Sequence, residues 1–558
     1  MTARSLVALR QPLPPKVARE AAVAPARVGK REAARRRRRA GVVIPLFSIR
    51  SSASSGWGLG EVPDVARFAS WAAKAGFSVV QLLPVGETSG ADPSPYGASS
   101  AFAIDPVYLS LDECRDFMAA GGRSALPREL QELLGQVAAS AHVDWAGARR
   151  LKQAGIQLAF AHFLRAEWSK DTQPARDFAQ FMRAQAHWLD DHALYRVFHD
   201  RFGRSWLDWP PEARDRDPGA IAALRREARD DILRVKWTQW QLDGQWRAAR
   251  RAAAAEGVEL MGDLPFVVGT DSADVWAHRE IFRTDLHVGT PPEEGAPEGQ
   301  DWGLPAYDWS TMARDRFAWI RERSMRSGAL YGMYRIDHVM GFYRTFYRSV
   351  DGRAKGFLPP NEHEQIQQGE ALMRLMGQWA EVVAEDLGYV PTYLRPSLER
   401  LGIPGYKVLR WEKDGDAYRD PSSWPETSVS TGSTHDTDTV ADWFDGLPPE
   451  QRDRLRQVPG LAELGDTFDD RARDLLLKVI YEAPSALALV TFQDALGTRD
   501  RINVPGTVDA KNWTYRASRS ETVEALLADR ATTERLARLA AGSGREPRGA
   551  RRAARAGE

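Results

Sequence analysis

The segment from Tyr331 to Phe342, YGMYRIDHVMGF, holds the residues whose types and spacing are best suited to chemistry. An apolar, aromatic-rich run that ends in Arg, Asp and His predicts a buried strand that delivers charged groups to a cleft. Strand alternation places Arg335 and Asp337 on one face and Ile336 on the other. A fixed guanidinium favours the ionised form of a neighbouring carboxylate, which makes Asp337 a candidate nucleophile. A purely structural ion pair is the alternative interpretation of this segment taken alone.

Strand-like apolar runs occur eight times and alternate mostly with helical segments. This alternation predicts an α/β fold, a (β/α)8 TIM barrel, in which helices connect successive parallel strands. Helical spacing from about 107 to 256 predicts a large, mostly helical insertion after the second barrel strand, and we expect a loop subdomain at about 280–325. The eight runs cover residues 42–49, 77–85, 258–266, 331–338, 381–387, 405–411, 428–436 and 488–496.

Four of these runs end in carboxylates. In a barrel the C-terminal ends of all strands meet at one face, so acids that lie far apart in sequence converge there. Like charges in one cleft raise the pKa of one carboxyl group while Arg335 lowers that of another, which provides a proton donor beside an ionised nucleophile, as glycoside chemistry requires. Strand alternation alone does not decide which of two adjacent acids faces inward. The acids are Asp263, Asp337, the pair Glu385 and Asp386, and Asp436.

The two ends of the chain differ from its centre in charge. Residues 1–40 contain 12 Lys and Arg against two Asp and Glu, and residues 541–558 contain five against two, although the whole chain has a formal charge of zero. We therefore expect a disordered basic extension at 1–40 and a disordered tail at 541–558, around a catalytic barrel at 41–530. The acidic centre argues against nucleic acid as the main partner.

Hydrophobic content of 43% and charged content of 27% are ordinary for a globular protein. No window approaches the roughly 20 apolar residues that cross a bilayer, so we expect no membrane partner. Cys114 is the only cysteine, which excludes an internal disulfide and predicts a cytoplasmic location. We expect this thiol to be inert and to lie in a helical surface region. The sequence does not predict an oligomeric state.

The cluster THDTD offers His435, Asp436 and Asp438 as ligands for a metal ion. A complete ligand set is missing elsewhere in the sequence, so we predict neither a metal nor another cofactor. We interpret His338 and His363 as structural residues.

Nine short stretches, in one order and at consistent spacings, make the chain similar to a known family. They are GWGLGEVPD (56–64), QLLPVG (81–86), SPYGASSAFAIDP (94–106), GDLPFVVGTDSADVW (262–276), GQDWGLPAYDW (299–309), RIDHVMGF (335–342), AEDLG (384–388), THDTDT (434–439) and RINVPGT with NW (501–507 and 512–513). Over roughly residues 41–520 the chain resembles the 4-alpha-glucanotransferases, also called amylomaltases or disproportionating enzymes, of glycoside hydrolase family 77.

The resemblance implies an enzyme that transfers α-1,4-glucan segments between maltooligosaccharide or α-glucan donors and acceptors. Asp337 would be the nucleophile, Glu385 the general acid and base, and Asp436 the third carboxylate, which grips sugar hydroxyls. A retaining double displacement through a covalent glucosyl-Asp intermediate would follow, with the nucleophile and acid about 5 Å apart. The implied substrate-binding residues are Tyr96, Ser94, Asp263, Trp302, Arg335, His435 and Asn503.

The chain departs from the family pattern in two places. The segment PPEEGAPEG (291–299) lacks the aromatic residues that some members place over the acceptor, and the stretch after RIDHVMGF is unusually basic and polar. An α-glucan hydrolase remains an alternative because the carboxylates do not distinguish it from a transferase, and a non-catalytic glucan-binding barrel is a further one. The GQDWG and SPYGASSAFA stretches, absent from typical amylases, favour transfer.

Overall fold

Eight short parallel strands close into a barrel in the computed structural model, which describes residues 38–88, 93–292, 297–507 and 509–547. Strand neighbours follow the chain order, and the last strand pairs with the first. The predicted (β/α)8 fold is therefore confirmed. The strands are β1 (Arg39–Val43), β2 (Val79–Gln81), β3 (Glu259–Leu264), β4 (Met333–Ile336), β5 (Glu381–Ala384), β6 (Gly405–Val408), β7 (Ser428–Thr431) and β8 (Leu487–Thr491).

The strands are buried on both faces, as expected where a ring of helices covers a parallel sheet. Every residue of β7 and β8 is buried. The helix Val62–Lys74 shows how the covering layer forms: Glu61 and Asp64 make a capping box at its start, and its apolar stripe includes Val65 and Phe68. Gly76, just beyond its end, has a φ of 87°, and a side chain there would collide with Ala540 of the last helix.

Helices fill most of the chain between β2 and β3 and connect the other strands. Those between β2 and β3 are Arg115–Ala119, Arg128–Ala139, Trp145–Ala166, Gln173–Ala184, Ala186–Phe202, Pro211–Arg214, Pro218–Glu227 and Arg229–Ala255. The helices elsewhere are Val62–Lys74, Ala273–Ala277, Trp309–Arg314, Ala318–Leu330, Val339–Tyr343, Glu362–Met376, Leu394–Leu401, Val440–Gly446, Pro449–Arg456, Asp470–Glu482, Phe492–Leu496, Val523–Ala528 and Arg530–Gly542. None of the described helices is long and apolar enough to cross a membrane.

A separate four-stranded antiparallel sheet lies outside the barrel. Its strands, in spatial order, are Gln300–Tyr307, Phe282–Thr290, Thr345–Ser349 and Lys355–Leu358. The last two strands come after β4, beyond the 280–325 range in which the sequence predicts a loop subdomain. Hydrophobic periodicity does not indicate which strands pair when they lie far apart in sequence, as Phe282–Thr290 and Thr345–Ser349 do.

The chain ends differ from the sequence prediction wherever the structure describes them. β1 starts at Arg39, inside the range assigned to the disordered extension, and Arg39 Nη2 lies 2.5 Å from Glu381 Oε1. Arg545, inside the predicted disordered tail, is fully buried. Charge composition suggested solvated arms, but these arginines satisfy backbone and carboxylate oxygens of the barrel instead. The remainder of both predictions, at 1–37 and 548–558, lies outside the described residues.

Cys114 also differs from expectation, because the structure buries it directly before the helix Arg115–Ala119. Burial raises the pKa of its thiol. A buried thiol with a raised pKa is unreactive, which gives a physical reason to expect an inert Cys114 although it does not lie at the surface.

Arg545 generates a stability prediction. Its guanidinium donates to the carbonyl oxygens of Tyr481, Ala483 and Ser485 at 2.7–2.8 Å and to that of Arg39 at 2.8 Å. Arg545→Ala removes all four of these hydrogen bonds, although Arg38 Nη2 still donates to the carbonyl oxygens of Tyr481 and Ala483. We therefore expect the free energy of unfolding to fall by about 2–3 kcal/mol. Differential scanning calorimetry will register a lower midpoint. Arg530→Ala, at the exposed start of the preceding helix, is the control, and equal midpoints for both variants would contradict the assignment.

Candidate active site

Arg335, the third residue of β4, lies at the centre of the acidic cluster. Its Nη1 lies 2.8 and 2.7 Å from the two carboxylate oxygens of Asp263, and its Nη2 lies 2.8 Å from Asp337 Oδ1. The same Nη2 is 3.9 Å from Glu385 Oε2. Asp263 and Arg335 are paired residues of the adjacent strands β3 and β4, so the sheet register itself sets this contact. Three of the carboxylates predicted to converge, those of Asp263, Asp337 and Glu385, therefore meet around one buried cation.

Glu385 follows β5 directly and is held by two backbone donors. Its Oε2 accepts from His338 N at 2.8 Å and its Oε1 accepts from Leu387 N at 3.0 Å. Burial raises the pKa of Glu385 to about 7, and the charge of Asp337 adds to this effect although Arg335 and the two amides oppose it. Glu385 is thus a carboxyl group able to hold a proton near neutral pH.

Asp386, the other acid that the sequence left open, points away from this cluster. Its Oδ2 accepts from Arg395 Nε at 2.9 Å and its Oδ1 accepts from Tyr406 N at 2.6 Å. It therefore anchors β6 and the helix Leu394–Leu401, and the cluster contains Glu385 alone of the pair.

Asp436 does not end a strand, contrary to the sequence prediction. β7 stops at Thr431, and Asp436 lies five residues further on, in the loop that follows. Its Oδ2 is 3.2 Å from His435 Nε2, and its Oδ1 accepts from Asn503 Nδ2 at 2.7 Å. Arg501 Nη2 donates to its backbone carbonyl at 3.0 Å, which holds the loop in place.

The surroundings of Asp436 favour its ionised form. The partial loss of water around its carboxyl group would by itself raise the pKa, but His435 and the hydrogen bond from Asn503 outweigh this effect and lower the pKa to about 2. Conversely, burial alone would lower the pKa of His435, and Asp436 raises it above its ordinary value. His435 and Asp436 thus form a mutually stabilised pair at the edge of the cluster.

Tyr96 connects this pair to Arg335. Its hydroxyl donates to Asp263 Oδ2 at 2.8 Å and lies 2.9 Å from His435 Nε2, and its ring lies parallel to the His435 ring at 5.4 Å. Ser94 lies beside it and accepts from Tyr96 N at 3.4 Å. Tyr96 is therefore a shared hydrogen-bonding partner of the two halves of the site.

Trp302 brings the antiparallel sheet to the site. It lies on the strand Gln300–Tyr307, and its ring meets that of His338 edge-on at 4.9 Å. His338, interpreted from the sequence as structural, takes a left-handed φ of 45° directly after Asp337. Burial lowers the pKa of His338 to about 4 despite the charge of Asp337, so the imidazole is neutral. The rings of Trp302 and His338 therefore form an aromatic wall next to Asp337.

The geometry is that of a carboxylate pair rather than a metal centre. Asp337 and Glu385 contact one nitrogen atom at 2.8 and 3.9 Å, so their nearest oxygens are no farther apart than the sum of these distances. That limit is compatible with the roughly 5–5.5 Å separation of the two carboxyl groups in retaining glycosidases. Across the described residues no group of three or more His, Cys, Asp or Glu is arranged to hold a metal ion. Asp438 of the THDTD cluster pairs with Arg501 instead.

The sequence model of 4-alpha-glucanotransferase matches residues 44–522. The 4-alpha-glucanotransferase of Chlamydia pneumoniae is 31% identical over 498 residues, which cover 85% of this chain and 90% of that protein.

The chain belongs to the 4-alpha-glucanotransferase family, glycoside hydrolase family 77.

Further relatives agree with this assignment. The 4-alpha-glucanotransferase of Synechocystis is 31% identical over 84% of this chain and 92% of its own length. The solved amylomaltase of Streptococcus agalactiae, in complex with acarbose, superposes with a TM-score of 0.78 at 23% identity and covers 91% of this chain and all of that one. The resemblance to family 77 and the expectation of a 4-alpha-glucanotransferase are confirmed.

Three contributors to this family 77 site were missed at the sequence level. His338 supplies a backbone donor to Glu385, Arg501 fixes the Asp436 loop, and the Trp513 ring lies 5.8 Å from Tyr96 and 6.0 Å from His435. Arg501 and Trp513 both lie in stretches that carry the family resemblance, so the signal for them was present. The hydrogen bond from His338 to Glu385 could not be predicted from residue type because a backbone amide makes it.

The His435–Asp436 pair generates a titration prediction. Replacement of Asp436 by Asn removes the anion that raises the pKa of His435, so we expect that pKa to fall. NMR titration of the histidine ring protons measures it. Asp438→Asn is the matched control, because Asp438 pairs with Arg501 and should leave the pKa of His435 in place. An unchanged value in Asp436→Asn would contradict the pairing.

Proposed function

We propose that Asp337 is the nucleophile and Glu385 the general acid and base of a retaining transfer of α-1,4-glucan segments. The observation that supports this most strongly is that both carboxyl groups contact the same Arg335 nitrogen but at unequal distances, 2.8 and 3.9 Å. Direct contact with the guanidinium fixes the position of the Asp337 carboxyl group. Glu385, farther away and more buried, holds the proton that a leaving sugar requires.

The reaction proceeds in two displacements. Asp337 attacks the anomeric carbon while Glu385 protonates the departing glycosidic oxygen, and a glucosyl ester forms on Asp337 as the donor bond breaks. Glu385, now ionised, takes the proton from the 4-hydroxyl of an acceptor sugar. That oxygen attacks the anomeric carbon of the ester, the bond between this carbon and the Asp337 carboxylate oxygen breaks, and an α-linkage is restored.

We propose that Asp436 grips hydroxyls of the sugar bound next to Asp337. Its side chain is 41% exposed, so it is accessible to a ligand although its loop is fixed by Arg501 and Asn503. A rigid, ionised acceptor of hydrogen bonds strengthens its contacts as the sugar ring becomes electron-poor in the transition state. We also propose as substrate-binding residues Tyr96, Ser94, Asp263, Trp302, Arg335, His435 and Asn503.

Transfer requires an acceptor hydroxyl to outcompete water. An oriented acceptor reaches an effective concentration of about 10⁵ M or more, far above that of water, provided that a surface holds it. The wall formed by Trp302 and His338 supplies an aromatic face beside the two carboxylates. An α-glucan hydrolase is the alternative, and a hydrolase does not need a surface that holds an acceptor.

We also propose a cytoplasmic location, because the single cysteine suits a reducing compartment.

Incubation with maltotriose tests this function. We expect free glucose and longer oligosaccharides to form while the number of reducing ends stays constant, whereas hydrolysis would raise that number and a binding protein would change nothing. Asp337→Asn and Glu385→Gln should each reduce the rate by about 10³-fold or more. Asp386→Asn, which alters the adjacent acid outside the cluster, is the matched control and should retain transfer if it folds. A rising count of reducing ends would favour the hydrolase.

An activated donor separates the two roles. Fluoride leaves without protonation, so Glu385→Gln should still react with α-glucosyl fluoride and accumulate a covalently attached glucosyl group, visible by mass spectrometry of the intact chain. Asp337→Asn should form no such adduct. The reverse pattern would exchange the assignments.

The raised pKa of Glu385 predicts the pH dependence of the rate. Because Glu385 must be protonated in the first displacement, kcat/KM should decline as pH rises through about 7. Asp436, with a pKa of about 2, stays ionised across this range and adds no further transition. Initial rates on maltotriose between about pH 5 and 9 measure the profile. A rate that is constant from about pH 6 to 9 would be incompatible with Glu385 as the acid.

A further inference from the structure

A groove on the helices between β2 and β3 is lined by residues that the glucan reaction does not use. Its volume is about 300 Å³, and its lining comes from the segments around 168, 190 and 225–236. This volume lies at the lower end of the range for small-molecule sites, roughly 300–1,000 Å³. The lining residues are Trp168, Asp190, Leu194, Arg225, Arg229, Ile232, Leu233 and Lys236.

The floor of the groove is apolar and rigid. Leu194 and Ile232 are buried core residues. The Trp168 indole, half-buried, packs edge-on against Phe178 with ring centroids 5.5 Å apart, which fixes its plane. A flat or apolar part of a ligand has a preformed surface here.

The rim of the groove carries an excess of positive charge. Arg229 and Lys236 lie seven residues apart on one face of the helix Arg229–Ala255, and Arg225 lies on the preceding helix. Lys236 pairs with Asp190. Arg225 and Arg229, in contrast, form no ion pair with any residue that the structure describes. Three cations against one carboxylate leave two positive charges uncompensated.

We propose that this groove binds a small organic phosphate monoester. Arg225 and Arg229 would hold the phosphate, and the organic part would lie against Trp168 and Leu194. A phosphate monoester carries about −1.5 to −2 charges at pH 7, which matches the excess of two, whereas a single carboxylate or a neutral glucan would leave charge uncompensated. Guanidinium groups also match phosphate oxygens geometrically, with two parallel hydrogen bonds.

Calorimetric titration of the full chain tests the proposal with AMP, glucose 1-phosphate and inorganic phosphate, and with adenosine and glucose as uncharged counterparts. The informative variant is Arg225→Ala combined with Arg229→Ala, since both side chains are exposed and their removal should not disturb the fold. Arg226→Ala is the matched control, because Arg226 is exposed and lies beside Arg225 on the helix Pro218–Glu227 but does not line the groove. We expect a monoester to bind the unmodified chain and the Arg226→Ala variant alike, and to bind the double variant at least about tenfold more weakly.

The probes also identify the organic part. Tighter binding of AMP supports stacking of a base on Trp168, and tighter binding of glucose 1-phosphate supports a sugar phosphate. The double variant separates either result from binding in the catalytic cleft, which it leaves intact. The proposal is overturned if neither monoester binds at millimolar concentration, if Arg226→Ala weakens binding as much as the double variant, or if inorganic phosphate binds as tightly as both monoesters.

Discussion

The contact of Arg335 with Asp263 and Asp337 is the interaction on which the site depends. Several carboxylates in a buried cleft repel one another and lose hydration, so they need a cation at the same depth. A guanidinium has several donors in a fixed plane and contacts two carboxylates through different nitrogens, which an ammonium group does less well. Because Arg335 is committed to Asp263 and Asp337, Glu385 is left at 3.9 Å, where the compensation is weaker. Burial is the main cause of the raised pKa of Glu385, and Arg335 at this distance offsets it only in part.

The barrel sets those distances through strand register. Asp263 is paired with Arg335 across β3 and β4, and Ile336 is paired with Ala384 across β4 and β5. Asp337 and Glu385 are the next residues after that second pair, so both leave the barrel at the same level. A shift of one residue in either strand would turn one carboxylate to the outer face. The backbone amides of His338 and Leu387 then fix Glu385 from the loops that follow.

The hydrophobic runs predicted the barrel. They also predicted that acids converge, because the C-terminal ends of all strands in a closed parallel barrel lie on one face. The hydrophobic runs could not show whether Glu385 or Asp386 faces the cluster. The structure turns Asp386 away because its carboxylate accepts hydrogen bonds from Arg395 and from Tyr406 N. The position of Asp436 was predicted at a strand end, whereas β7 stops earlier and Arg501 holds the loop through a backbone contact. Arg545 was assigned to a disordered tail because its burial depends on carbonyl groups that only the folded chain brings together. In each case the missing information is a long-range polar contact, which periodicity does not encode.

Tyr96 makes the two acidic regions parts of one site. Asp436 owes its ionised state chiefly to His435 and Asn503, and Asp337 is paired with Arg335, so each region is compensated by its own partners. The Tyr96 hydroxyl contacts Asp263 on one side and His435 on the other, which fixes the distance between the regions without adding a charge. In the proposed reaction, a sugar that spans the two regions would meet carboxyl groups whose spacing is set before it arrives. Because preorganised groups need not rearrange as the transition state forms, this spacing would lower the barrier more than flexible acids of the same number.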